Sequence, residues 1–191
     1  MLKEAVKQSK TISVISNVKS SQLLWTLAFS FLMVLAANVA VPVKPVPFTL
    51  QTMIVLLSGA FLGARNGAFS QIIYLALGLI GLPVFANFNF GPAALIGPTG
   101  GYLLSWPFAA YLVGYLVERN KSTLNISLAM IVAHILILLT GALYLSVFFN
   151  GNLETALFSG AIIFTPWDAI KVAAAISIYK VLSSRYPKLP K

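Results

Sequence analysis

Cysteine is absent from this 191-residue chain, and only four of its side chains are acidic. Without cysteine there can be no disulfide and no thiolate metal site, and thiol usage says nothing about compartment. The single histidine, His134, sits in MIVAHILILL with no H-E-x-x-H around it and no second histidine to share a metal, so packing with one hydrogen bond to a neighbouring helix is the favoured role. No G-x-x-x-x-G-K-[ST] loop occurs, which excludes ATP binding and hydrolysis by that route. A G-x-S-x-G elbow is missing too, so a membrane hydrolase or transferase built on His134 and Asp168 would lack its nucleophile. A binding protein is expected: no enzyme, no cofactor, no metal.

What the chain has is grease. Hydrophobic side chains make up 59% and charged ones 9%, against about 25% charged in a soluble domain. Six apolar stretches, near 22–42, 48–63, 67–83, 100–117, 124–148 and 166–183, are long enough to cross a hydrocarbon layer of about 30 Å, allowing for tilt and for polar residues facing a bundle interior. The breaks between them carry turn chemistry: VPVKPVP, GARNG, GLPVFANFNFGPAALIGPTGG, ERNKST and FFNGNLET. So many spans in so short a chain leave no room for a soluble domain. The predicted fold is all-α and integral to the membrane, one compact bundle of six transmembrane helices over 1–191, with a basic leader at 1–21, a long outer loop at 84–99 and a basic tail at 184–191. The leader's apolar continuation is too long for a signal-peptide core and is read as retained.

Orientation follows from charge. With the N-terminus cytoplasmic, every basic residue except Lys44 and Lys171 falls on the inner side, which satisfies the positive-inside rule and places both termini inside. The net charge of +9 then lies against anionic lipid headgroups of the cell membrane, not against nucleic acid.

Of the acids, only Asp168 is hard to place. It lies in FTPWDAIKVAAA, with Lys171 one turn further along the same helix face. Thr165-Pro166-Trp167-Asp168 reads as a helix start, with Thr165 as cap and Asp168 in the first turn, near the outer boundary. A buried ion costs roughly 2.5–3.5 kcal/mol even on the lenient insertion scale, so both charges need partners. One reading is a structural clip between the two. The other is a ligand site, in which the carboxylate accepts from ligand N–H groups and the ammonium donates to a carbonyl or carboxylate.

Further polar residues fall on the same side: Thr49 and Gln51 in PFTLQTM, Asn87 and Asn89 among Phe85, Phe88 and Phe90, and Tyr102 after GPTGG. Such groups amid aromatic rings suit a small, partly apolar solute. Each also has a structural reading: Asn89 satisfying loop backbone, Gln51 bridging helices, Tyr102 anchoring at the interface. GPTGG reads as a sharp start to the fourth helix with Thr99 as a cap. Gly59, Gly63 and Gly67, and Ala36 with Ala40, read as small faces for close packing.

With these residues in view, the chain resembles the BioY family, biotin-binding S components of energy-coupling factor (ECF) transporters. The likeness runs from about Leu23 to Ile178. It is carried by KPVPFTLQTM, LSGAFLGARNGAFSQIIYLALGLIGLPVF, GPAALIGPTGGYLLSWPFAAYLVG and FTPWDAIKVAAA. The resemblance implies capture of biotin at the outer face and ATP-driven import by partners, a transmembrane scaffold subunit and two cytoplasmic ATPases. It implies Asp168, Lys171, Asn89, Gln51, Tyr102 and Thr49 as ligand-binding positions, with Asp168 taking the ureido N–H groups and Asn89 or Lys171 meeting the carbonyl or the carboxylate.

Two departures stand out. Leu103 occupies a position where some relatives carry arginine, which makes Lys171 or Lys44 more important for the ligand's carboxylate. Leu24 and Ala28 give only half of the Ala-x-x-x-Ala used for docking on helix one. A self-sufficient facilitator or proton-coupled carrier is the alternative, which the shortage of membrane carboxylates disfavours.

Overall fold

A computed structural model of the chain describes residues 21–185. The outer parts of the basic leader and tail, with Lys3, Lys7, Lys10, Lys19, Lys188 and Lys191, lie outside the described residues. The described part is mostly helical, since in hydrocarbon a backbone must satisfy its own N–H and C=O groups.

Helix α1 (Ser21–Asn38) shows Leu23, Leu27, Phe31 and Leu35 on its outward side and buries Thr26, Ser30, Met33 and Ala37. Ser30 donates across to the Ser70 carbonyl at 2.7 Å, docking α1 on the next helix. The first pass ends earlier than expected. Residues 40–49 form a two-stranded antiparallel hairpin, β1 (Ala40–Val41) against β2 (Phe48–Thr49), instead of more helix and a simple turn. Ala40 is therefore in a strand and shares no helical face with Ala36.

Helix α2 (Gln51–Leu79) contains 29 residues. Run straight, it would measure about 43 Å. Instead Gln51 Nε2 donates to Tyr74 Oη at 2.7 Å and Gln71 Nε2 to Ser58 Oγ at 3.0 Å, contacts possible only if the chain doubles back. The reversal is at Gly63, with φ 79° and ψ −179°. Among the described residues five helices are long and apolar enough to cross a membrane, and because one is folded into two antiparallel limbs, they make the six passes the hydropathy predicts.

Small residues make this possible. A Cβ on Gly67 would lie 2.8 Å from the Gly59 Cα, and one on Gly59 would lie 2.2 Å from the Ala110 carbonyl oxygen, so both limbs and α4 (Gly100–Arg119) approach backbone to backbone. Glu118, at the end of α4, accepts from the Ala64 N–H at 3.2 Å and so caps the second limb where its dipole is positive. Gly63→Ala should lower the thermal midpoint of the detergent-solubilised protein. The backbone there is in a region essentially reserved for glycine, worth about 1–3 kcal/mol, and the added methyl would strike Glu118 Oε1, 2.0 Å away. An unchanged midpoint would show that the reversal is not held at Gly63.

Between α2 and α4 the chain carries a short 3-10 turn and α3 (Pro92–Ile96). It is pinned by Tyr74 Oη donating to the Val84 carbonyl at 2.9 Å and Gly91 N donating to the Gly78 carbonyl at 2.8 Å. A Cβ on Gly78 would fall 2.0 Å from the Phe85 ring, so glycine is what lets that ring fold in. Helix α5 (Thr123–Leu145) starts with Ser122 accepting from the Asn125 N–H.

FFNGNLET is more than a break. After a left-handed Asn150 and Gly151, Asn152 caps an additional short helix, α6 (Leu153–Gly160), by accepting from the Thr155 N–H. A 3-10 turn at Ile162–Phe164 leads into α7 (Thr165–Arg185). Two expected caps do not form. Thr165 is already helical and donates back to the Ala161 carbonyl. The Thr99 hydroxyl donates to the Ala94 carbonyl, and tight clearance of Gly100 against the Leu95 carbonyl makes the sharp start of α4.

Candidate substrate-binding site

At the end of the bundle where the hairpin, the 80–99 segment and α6 gather, a cavity of about 270 Å³ opens. That is near the lower end of the range for small-molecule sites. Its wall includes all six residues singled out from the sequence: Thr49, Gln51, Asn89, Tyr102, Asp168 and Lys171. They come from β2, from the start of α2, from the loop after it, and from α4 and α7. Arg65, Arg119 and Lys121 sit at the turns of the opposite end.

Asp168 is 3% exposed and Lys171 5%, so these are charges out of water, and each has named company. Lys171 Nζ lies 2.6 Å from Asp168 Oδ1, donates to the Thr52 hydroxyl at 2.7 Å and donates to the Thr49 carbonyl at 3.0 Å. Three oxygens thus surround the three hydrogens of the ammonium. Lys171 ties α7 to the start of α2 as well as balancing the acid. On its other side Asp168 Oδ2 lies 3.0 Å from His134 Nε2.

That contact brings the acid of α7 and the imidazole of α5 to one level of the bundle. Helix α5 runs about three turns beyond His134, and Asp168 lies in the first turn of α7, so the two helices overlap at the level of the imidazole. His134 does make one link to a neighbouring helix, and that link is to the acid of the cavity wall. A polar ring buried in an apolar helix and a buried carboxylate each need a partner, and that need was the available signal for the pair.

The other residues divide their duties. Gln51 is buried, and its amide bridges the two limbs through Tyr74. Tyr102 donates its hydroxyl to the Gly160 carbonyl at 2.6 Å, and its ring fills the space a Cβ on Gly141 would take. It is a buried brace for α6, not an interface anchor, and offers the cavity its ring. Asn89 is exposed at the rim, and its Oδ1 accepts from the Phe90 N–H at 2.9 Å. Its amide hydrogens remain for the cavity.

The aromatic lining differs in part from expectation. Phe85 lines the cavity, but Phe88 and Phe90 are 66% and 56% exposed and do not. Their places are taken by Trp106, one turn after Tyr102 on α4, and by Phe164, whose ring centroid lies 4.3 Å from that of Phe48. The spacing from Tyr102 to Trp106 is a face-sharing one and was readable in the sequence. Phe164 was not, since it depends on the 3-10 turn before α7. Leu103 is in the wall, while Lys44 is exposed and outside it.

A carboxylate braced from two sides, rim amides, and a wall in which aliphatic and aromatic groups predominate can hold a compact solute with two adjacent N–H donors and an apolar body. The chain matches the BioY family over residues 8–188. It is 38% identical over 150 residues to the biotin transporter BioY of Thermotoga maritima, covering 78% of this chain and 88% of that one. It is 34% identical over 161 residues to the biotin transporter BioY of Lactococcus lactis, covering 80% and 85%. Among solved structures it is similar to the S-component for biotin from an ECF-type ABC transporter, at a TM-score of 0.82 and 30% identity, with 88% of this chain and 93% of that chain covered. From fold, site and sequence together, this multi-pass membrane protein belongs to the BioY family.

Proposed function

We propose that the chain is the substrate-binding membrane subunit of an ECF-type vitamin uptake transporter and that its ligand is biotin. The observation that carries this is the buried Asp168 carboxylate, braced by Lys171 and His134 in the wall of a largely apolar cavity. An ionised carboxylate only accepts hydrogen bonds. The ureido ring of biotin offers two N–H donors side by side, and its thiophane ring and aliphatic chain suit Val46, Phe85, Trp106, Leu138 and Phe164. Asn89 at the rim, with amide hydrogens to give, is placed for the carbonyl or the tail carboxylate. Lys171 serves the ligand chiefly by holding the acid, Gln51 and Tyr102 by holding the wall, and Thr49 by its hydroxyl.

The cavity end faces outward in this reading, which the basic residues at the opposite end support. Transport is then capture outside followed by release inside when partner subunits move the loaded protein. The partners are a transmembrane scaffold subunit and two cytoplasmic ATPases, because this chain has no nucleotide loop of its own. Two measurements test the proposal. Calorimetry with detergent-solubilised protein should show saturable biotin binding at one site per chain, and absence of binding ends the proposal. In liposomes the purified chain alone should not accumulate biotin; accumulation driven by a proton gradient would favour a self-sufficient carrier instead.

A further inference from the structure

We propose that His134 is a positioning residue for ligand recognition: it donates its Nε2 hydrogen to Asp168 Oδ2 and so fixes the carboxylate in the attitude that the ligand's paired N–H groups require. This rests on the reading of the cavity as a biotin site. His134 cannot act by touch, because it is not part of the cavity wall, whereas Leu138, one turn further on the same face of α5, is. It acts through Asp168.

The geometry distinguishes its role from that of Lys171. Lys171 is on α7 itself, three residues from the acid, so its contact with Oδ1 moves with the helix that carries both. Among the described residues only His134 reaches the carboxylate from another helix, 3.0 Å from Oδ2. With one oxygen held from within α7 and the other from α5, rotation of the carboxylate about its own bond is blocked. Each oxygen keeps further lone-pair capacity, so the pair forms a fixed two-pronged acceptor. A ring nitrogen 3.0 Å from a carboxylate oxygen must carry the hydrogen, which assigns Nε2 as the donor and leaves Nδ1 as the bare nitrogen. His134 is 6% exposed, so water does not substitute for it.

The test is a double-mutant cycle with biotin as probe. His134→Leu keeps an apolar side chain of similar size in the bundle and removes the donor; it should weaken biotin binding about 10- to 100-fold, the equivalent of one hydrogen bond to a charged group. His134→Gln, which offers an amide N–H at similar reach, should recover most of that loss. In an Asp168→Asn background the His134→Leu change should cost less than about threefold, because the group it positions is no longer there. A packing role alone would predict the same loss in both backgrounds and no rescue by glutamine, and that result overturns the inference. So does wild-type affinity in His134→Leu. A wild type that binds no biotin overturns both this inference and the function it rests on, whereas normal wild-type binding with an indifferent His134 removes the inference only. Because the chain has a single histidine, the ring can also be watched without ligand: in tag-free protein labelled with 15N-histidine, one Nε2–H signal should appear and should shift on Asp168→Asn. An Nδ1-protonated ring would contradict the assignment.

Discussion

Asp168→Asn should weaken biotin binding by about two to four orders of magnitude while the protein still purifies as a folded, monodisperse species. The amide preserves shape but replaces a two-oxygen anionic acceptor with one neutral oxygen and a donor. That donor N–H₂ would confront the ligand's own N–H groups. Two hydrogen bonds to a charged group are worth about 1.5–3 kcal/mol each, and every 1.4 kcal/mol is tenfold in affinity. The fold survives because Lys171 keeps the Thr49 carbonyl and the Thr52 hydroxyl as partners. Calorimetric titration of the variant beside wild type checks the expectation. Affinity within about threefold of wild type would mean that the N–H groups are met elsewhere in the cavity.

Lys171→Met has its main effect on stability. It leaves a carboxylate that is 3% exposed with only His134 beside it, and breaking a buried pair from one side costs about 3–5 kcal/mol. It also cuts the link from α7 to the start of α2. A large fall in the thermal midpoint is expected in detergent without biotin. The double variant Asp168→Asn/Lys171→Met removes both charges, so it should recover most of the lost stability, and it should show no biotin-induced rise in midpoint. If Lys171→Met were as stable as wild type, or the double variant no better than the single one, the charge pair would not be what holds α7 at this depth.

The two expectations separate recognition from scaffolding in one cluster. Asp168 lines the cavity and, in the function proposed, gives the ligand its acceptors, while Lys171 has its hydrogens directed to protein oxygens. That division could not be read from the sequence. A lysine one turn from an aspartate is compatible with a clip and with a ligand contact alike, and the deciding partners, Thr49 and Thr52, are 122 and 119 positions away in the chain. His134 stood apart for the same reason: its contact with Asp168 joins α5 to α7 across 34 positions of the chain. The pocket-facing positions at Thr49, Gln51, Asn89 and Tyr102 were legible because polar residues in an apolar chain must be accommodated, and few were on offer. What each does was less legible. The Tyr102 hydroxyl is spent on Gly160 and the Gln51 amide on Tyr74, bonds that exist only once helices are stacked.

Hydropathy, glycine and proline placement and charge asymmetry by themselves determined that this chain is a six-pass helical membrane bundle, and why: a backbone in hydrocarbon has to close its own hydrogen bonds, and apolar length and turn chemistry are local properties. The reversal inside one continuous apolar stretch was also local, since GARNG carries the glycine whose positive φ permits it. The tertiary structure alone decided the level at which the helices meet, the hairpin that lines the cavity, and the convergence of an acid, a base and an imidazole from two helices. Those depend on packing between segments far apart in the chain, where an ångström of vertical offset separates a contact from a miss.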